Sequence, residues 1–138
     1  MSAEARDRPV SVVVDVANVM GSRPDGWWRD RAAAASRLLD GMPALVGRVV
    51  ATPDGDPMRI GRIVAVVEGA AKAVEEPEGV TVVRASTDGD SAIVSTTERL
   101  HTEGERVLVV TADRGLRDRL PGGVLAAGPN WLNDLLGR

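Results

Sequence analysis

The chain has 138 residues, a formal net charge of −3 and no cysteine. This length suits one domain that can bury a core without covalent cross-links, and the lack of cysteine excludes disulfides, a thiolate nucleophile and Cys-ligated zinc. The single histidine excludes a His-rich metal site, and the acidic balance argues against a broad basic surface for duplex nucleic acid.

In chain order, the sequence predicts alternating strands and helices. We expect a strand at 10–16, a loop at 21–26, a helix at 27–42, and a long loop or irregular edge at 50–62. A second strand follows at 62–69, a short helix or loop at 70–79, a third strand at 80–86, and a helix from about 90 to 104. The last elements are a strand at 106–113, a helix at 114–120, a strand at 123–128 and a helix at 129–137.

The alternation of apolar strands with helices predicts an α/β fold: a three-layer α/β/α sandwich with a mainly parallel sheet and right-handed crossovers. Residues 1–8 are expected to form a flexible tail and residues 9–138 a single domain. No apolar run approaches the roughly 18 residues of a membrane span, and MSAEARDRP lacks the apolar stretch of a secretory signal. We therefore expect a cytoplasmic protein with no membrane contact.

Acidic residues follow four of the predicted strands. Asp15 ends the first strand, Glu68 the second and Asp113 the fourth, while Asp88 and Asp90 follow the third. In open parallel sheets, ligands bind beyond the carboxyl ends of the strands. Carboxylates that converge there repel one another unless a cation neutralises them. With neither a cysteine nor a cluster of histidines to help, Mg²⁺ or Mn²⁺ is the natural ion.

Each acidic residue also has a structural alternative. Asp90 and Asp113 both suit the N-cap of a following helix, and Glu68 suits a structural role better than a functional one. Asn18, three residues after Asp15, suits a turn as well as a site. Asp15 is the hardest to explain structurally, because no helix is expected directly after it.

Other α/β sites do not match. Ala17 stands where haloacid-dehalogenase-type phosphatases need a second aspartate, and Ala17 and Val19 break the metal motif of von Willebrand A-type domains. The only lysine, Lys72, is not at the end of the fifth strand, where a receiver domain needs one. Glycine-rich nucleotide fingerprints and a G-x-S-x-G elbow are absent.

Three segments, VVVDVANVMGS, DGDSAIV and VVTADRGLR, resemble the motifs of PIN-like ribonucleases, in particular the NYN branch. The matching residues are Asp15 and Asn18, then Asp90 with Ser91 where many relatives have a second Asp, then Thr111 and Asp113. GSRPDGWWRDRAAAASRLL and GPNWLNDLL further resemble a small actinobacterial group of such proteins. The resemblance covers nearly the whole chain.

This resemblance implies a five-stranded sheet in the order 3-2-1-4-5 and a bacterial, divalent-metal-dependent ribonuclease that hydrolyses single-stranded RNA. Asp15, Asp90 and Asp113 would be the catalytic metal ligands for Mg²⁺ or Mn²⁺, assisted by Asn18 in catalysis and by Asp88 at the metal.

Two departures from the family pattern leave alternatives open. Ser91 replaces a common acid, and Gly115 stands where a fourth acid often lies. A catalytically weakened PIN-like module that binds RNA or protein is therefore the alternative, with Glu68 or Asp88 as compensating acids in the active case. A metal-dependent nucleotide phosphohydrolase is a weaker alternative, because it would use the same acids.

Substrate contacts are predicted from residues beside the acids: Arg114, Thr111, Ser91 and Arg23. Arginine forks suit phosphates, although the arginines on the helix at 114–120 suit a solvated face equally well.

The tryptophans have two interpretations. Trp27 and Trp28 are expected to pack, one against the core and one over the first loop, with stacking on a single-stranded base as the alternative. Trp131 is expected in the core. A homodimer through the fifth strand or the last helix stays open, and no protein partner is identified.

Overall fold

The computed structural model describes residues 8–138, so the predicted flexible tail lies outside the described residues except for Arg8. The described part contains a six-stranded sheet and five α-helices. The strands are β1 (Pro9–Asp15), β2 (Val49–Ala51), β3 (Pro57–Val67), β4 (Val80–Arg84), β5 (Arg106–Val110) and β6 (Leu125–Ala127). The helices are α1 (Val16–Gly21), α2 (Arg31–Asp40), α3 (Gly89–Thr102), α4 (Arg114–Asp118) and α5 (Pro129–Leu136). Short 3₁₀ turns lie at Trp27–Arg29, Pro43–Leu45 and Gly69–Ala73.

Strand β1 lies at the centre of the sheet, parallel to β3 on one side and β5 on the other. Strand β6 extends the sheet beyond β5, and β4 pairs in parallel with the carboxyl half of β3. The parallel strands therefore lie in the order β4-β3-β1-β5-β6. This arrangement confirms the predicted α/β class with a mainly parallel sheet.

The strands are apolar on both faces because helices cover both faces. Alternate β1 residues belong to different cores: Val12 and Val14 pack with α1, α2 and α5, whereas Val13 packs with α3 and α4. This is the three-layer arrangement that continuous valine runs predict. In the part of the chain described, no helix combines the length and apolar character needed to cross a bilayer.

The segment at 50–62, which the sequence left unresolved, is a β-hairpin. Strand β2 runs antiparallel to the amino half of β3, and the turn between them contains Gly55 at φ 93°. The expected five-stranded sheet therefore gains a sixth, antiparallel strand. Met58 and Ile60 are buried on either side of the exposed Arg59, the alternation of a strand with one covered face.

The expectation that no helix follows Asp15 was wrong. Helix α1 begins at Val16, and Asp15 is its N-cap. Val16, Val19 and Met20 are buried, which is the i, i+3, i+4 spacing of a helix that packs on one face. Asp15 therefore has a structural role as a cap as well as its place at the strand end.

Two other predicted boundaries shift because aspartates cap helices. The helix expected at 27–42 is broken at Asp30, whose carboxylate accepts a hydrogen bond from the Ala33 N–H at 3.0 Å and starts α2. The strand expected at 106–113 ends at Val110, so Asp113 lies in the following loop as the N-cap of α4.

Candidate active site

Five acidic residues lie at the carboxyl ends of the central strands, and we call them the acidic cluster. Asp15 ends β1, Glu68 follows β3, Asp88 caps α3 with Asp90 in its first turn, and Asp113 caps α4. Their charges interact: besides its burial, Asp15 experiences the repulsion of Asp90 and Glu68. The structure therefore brings the predicted acids to one edge of the sheet.

Asp15 is the most buried acid of the cluster, at 8% exposure. Its carboxylate accepts hydrogen bonds from the Asn18 N–H at 3.2 Å and from the Thr111 hydroxyl at 2.9 Å. Burial raises the pKa of Asp15, and these two hydrogen bonds oppose that rise. Asp15 is thus a desolvated carboxylate held in one orientation.

Two side chains fasten the loop before α4 to β1 and α1. The Thr111 hydroxyl also accepts a hydrogen bond from the Asp113 N–H at 3.1 Å, and the Asn18 side-chain oxygen accepts one from the Ala112 N–H at 2.8 Å. Thr111 is fully buried. The contact of Thr111 with substrate stays a prediction. The observed hydrogen bonds do not favour it, because the hydroxyl is already bonded to Asp15 and to the Asp113 N–H.

The start of α3 is capped by Asp88, not by Asp90. The Asp88 carboxylate accepts hydrogen bonds from the Ser91 N–H at 2.7 Å and the Ser91 hydroxyl at 3.1 Å, and they lower the pKa of Asp88. Glu68 is tied to the same helix start, because its carboxylate accepts a hydrogen bond from the Gly89 N–H at 2.5 Å. Asp90 carries no part of this capping.

Asp90 is the acid of the cluster whose pKa is raised by repulsion from three of the other acids. Partial burial raises its pKa, and repulsion from Asp113, Glu68 and Asp88 adds to the rise. The two side-chain ion pairs found within residues 8–138 join Arg62 to Glu105 and Arg138 to Asp25. The negative charge of the cluster is therefore left without a salt bridge in the described chain.

The donor chemistry of the cluster suits a hard divalent cation, since every candidate ligand is a carboxylate oxygen. Over the described residues, however, no three acidic or histidine side chains converge closely enough to hold one metal ion. The predicted ligands Asp15, Asp90 and Asp113 lie at the same edge of the sheet, but in the described residues they do not form a coordination site for one ion.

The arginines near the cluster are placed differently from one another. The positive charge of Arg119 adds to the lowering of the pKa of Asp88 and opposes the rise in the pKa of Asp90. Arg117 donates from Nε to the Thr111 carbonyl at 2.9 Å, and Arg114 is exposed at the start of α4. Arg23, predicted to reach the site, instead donates to the carbonyl of Arg138 at 3.4 Å.

A cavity of about 420 Å³ adjoins the cluster. Glu68 and Asp88 line it together with Trp27 and Arg31. The Arg31 guanidinium lies over the Trp27 ring, 5.2 Å from its centroid. Sequence reasoning did not select Arg31; the alternation of tryptophan and arginine in WWRDR was the available signal.

Among the comparisons with known proteins, the one with solved structures gives a match, and it concerns the fold alone. No protein-family profile matches the chain, and no curated protein gives a significant match. Among solved structures, the chain is similar to a point mutant of Rae1 (YacP) from Bacillus subtilis, with a TM-score of 0.64 and 18% sequence identity. The alignment covers 92% of this chain and 74% of that one. At this identity the likeness shows the fold alone, which is a three-layer α/β/α sandwich with a mainly parallel sheet.

Proposed function

We propose that this protein is a divalent-metal-dependent ribonuclease that hydrolyses phosphodiester bonds of single-stranded RNA. The observation that carries the proposal is the acidic cluster: burial and mutual repulsion raise the pKa values of Asp15 and Asp90 at the ligand-binding edge of the sheet. The resemblance of three motifs to PIN-like ribonucleases and the fold shared with Rae1 support it.

Asp15, Asp90 and Asp113 would hold Mg²⁺ or Mn²⁺, with Asp88 beside them. When bound, such an ion supplies charge neutralisation, activation of water and polarisation of the phosphate. Thr111 and Asn18 orient the Asp15 carboxylate, and the half-buried Asp90 and the exposed Asp113 would complete the ligand set.

The residues of the chain would orient the scissile group. Arg119, whose charge acts on Asp88 and Asp90, would bind a phosphate oxygen. The hydrogen bonds from Thr111 and Asn18 oppose the rise that burial causes in the pKa of Asp15. Asn18 contributes by holding the loop that carries Asp113 through the Ala112 N–H.

The test is cleavage of an end-labelled, unstructured RNA with Mg²⁺, with Mn²⁺ and with EDTA. Asp113→Asn should abolish cleavage, whereas Asp118→Asn, the same charge change at the end of α4, should leave it intact. Cleavage that persists in EDTA, or that survives Asp113→Asn, would contradict the proposal.

A second candidate is a PIN-like module that binds RNA without cutting it. It is favoured by the absence of a three-ligand convergence within residues 8–138 and by the Ser91 hydroxyl, which is already bonded to Asp88. In this case wild-type protein would bind the RNA and leave it uncut in Mn²⁺.

A further inference from the structure

The segment WWRDR forms a tryptophan–arginine cluster of Trp27, Trp28, Arg29 and Arg31 on the surface. The two indole rings meet edge to face, with centroids 5.9 Å apart and planes at 87°. The Arg29 guanidinium lies 5.9 Å from the centroid of Trp28, and Arg31 covers Trp27. The two adjacent indole rings are therefore flanked by one guanidinium group each.

The cluster is held in place by its backbone and by Trp27. Gly26 adopts φ 86°, a conformation that favours glycine, and its carbonyl accepts a hydrogen bond from the Arg29 N–H at 3.0 Å. Trp27 packs against the core under α1 and α2, as the packing interpretation predicted for one of the two rings. Trp28 is thus presented on an anchored turn.

Trp28 differs from Trp27 in being exposed. Its side chain is 51% exposed, although a buried indole would contribute strongly to the core. Within the described chain, Val49 is the other large apolar residue that is comparably exposed. An exposed tryptophan on a turn that glycine holds in shape, flanked by arginine, is suited to an external planar partner.

The cavity connects this cluster to the acids. Trp27 and Arg31 line it together with Glu68 and Asp88, while Ala17, Met20 and Ala71 make its remaining walls partly apolar. Its volume of about 420 Å³ lies within the range of small-ligand sites, roughly 300–1,000 Å³. A group bound there is adjacent to the site proposed for cleavage.

We propose that the cavity and the tryptophan–arginine cluster together bind an unpaired nucleobase and its adjoining phosphate, next to the scissile bond. This inference rests on the proposed function, because it names the part of the substrate that this edge of the site recognises. Trp28 supplies a stacking face beside the cavity, Arg29 and Arg31 contact the backbone phosphate, and the Glu68 carboxylate, which lines the cavity, accepts a hydrogen bond from the base edge.

The chemistry favours single strands over duplexes. A base within a duplex has both faces stacked and its pairing edge occupied, so it offers nothing to an indole or to a carboxylate. The net charge of −3 likewise disfavours a broad duplex footprint. A short basic and aromatic surface beside acids is instead suited to one splayed nucleotide.

The test measures binding without cleavage, by fluorescence anisotropy of a labelled single-stranded RNA in EDTA. Trp28→Ala should weaken binding by about tenfold, in line with the contribution of one stacked base, and Trp28→Phe should restore most of it. Arg31→Gln should weaken binding more than Arg37→Gln, which removes the same charge from the opposite end of α2. An RNA duplex should bind more weakly than the single strand.

The proposal is overturned if the wild type does not bind, if Trp28→Ala binds like the wild type, or if Trp28→Phe is as weak as Trp28→Ala. Equal effects of Arg31→Gln and Arg37→Gln would also overturn it, because they would indicate general charge attraction. Circular dichroism confirms that each variant is folded. The binding test uses uncut RNA, so its result does not depend on cleavage. Failure of the cleavage test would refute the proposed nuclease activity and leave the binding result valid. Normal cleavage together with wild-type binding by Trp28→Ala would refute only the proposed nucleobase site.

Discussion

Replacing Thr111 by valine removes the hydroxyl that joins Asp15 to the loop before α4. Valine has nearly the shape of threonine, so the fully buried site keeps its packing and loses two hydrogen bonds. A hydrogen bond to a charged group contributes about 1.5–3 kcal/mol and a neutral one about 0.5–1.5 kcal/mol. Counting the charged bond in full and the part-buried bond to the Asp113 N–H only in part, we expect the free energy of unfolding to fall by about 2–3 kcal/mol.

The matched control is Thr97→Val. Thr97 is also fully buried, but its hydroxyl has no hydrogen-bond partner among the described residues. Removing an unsatisfied buried hydroxyl costs no hydrogen bond, so the free energy of unfolding should stay the same or rise by about 1 kcal/mol. The two variants differ from the wild type by the same chemical change, so any difference between them reports the hydrogen bonds of Thr111.

Urea unfolding of both variants in EDTA, with equal m-values, measures this difference. Thr111→Val should also slow RNA cleavage, because the Asp15 carboxylate loses the bond that orients it and holds its pKa down. A Thr111→Val protein within about 0.5 kcal/mol of Thr97→Val would refute the reasoning that this hydroxyl organises the site, since that margin is the lower limit for one neutral hydrogen bond.

In urea unfolding, Asp113→Asn should be at least as stable as the wild type, because asparagine also caps helices and one repelling charge is gone. Asp113→Ala should lower the free energy of unfolding by about 1 kcal/mol. Equal losses in the two variants would contradict a capping role for Asp113. The raised pKa of Asp15 means that its contribution to stability is fully present below its ordinary value of 3.8 and is lost as pH rises through the higher folded-state pKa. The stability of Asp15→Asn relative to the wild type should therefore improve between pH 3.5 and pH 7 in an unfolding series, and a flat difference would contradict the buried charge. Gly61→Ala should destabilise the protein by about 1–3 kcal/mol, since a Cβ there would lie 2.6 Å from Cβ of Pro9. Gly122→Ala should have little effect, because a Cβ there would meet no atom within 4 Å. Equal melting temperatures of the two variants would refute this steric argument.

The fold class could be predicted because its signal is local and repeated. The valines of β1 and the aliphatic run Ile63–Val67 of β3 are continuous, and such runs predict strands covered on both faces. Strand β2 was missed because it has only three residues and lies beside a turn rich in proline, aspartate and glycine. The alternation at Met58 and Ile60 was the signal that an edge pairing starts there.

Helix α1 was missed for a different reason. Val16 and Val19 continue the β-branched composition of β1, so the change of period is visible only from Asp15 and Asn18, where the cap forms. The intrinsic propensities of Val16 and Val19 favour a strand, but the burial of one face of α1 against the core stabilises the helix instead.

The positions of the acids could be predicted, but their partners could not. The end of β1 places Asp15, and the loop after β5 places Asp113, at one edge of the sheet through topology alone. The Thr111 hydroxyl that bonds to Asp15 is 96 residues away in sequence, and the contact depends on side-chain rotamers that periodicity does not encode. The same holds for Arg31 over Trp27, which needs the turn at Trp27–Arg29 and the cap at Asp30 to form first.

The most direct test of the central claim is whether the acidic cluster binds a divalent cation. Thermal unfolding of the wild type and of Asp90→Asn is compared in EDTA and in increasing Mn²⁺, with Asp118→Asn as the control for lost charge. An ion that binds only the folded state stabilises it by about 2.7 kcal/mol at a hundredfold excess over the Kd. We therefore expect Mn²⁺ to stabilise the wild type and Asp118→Asn by this amount and to stabilise Asp90→Asn much less. An unchanged wild-type melting temperature, or equal gains in all three proteins, would contradict a metal site at these acids.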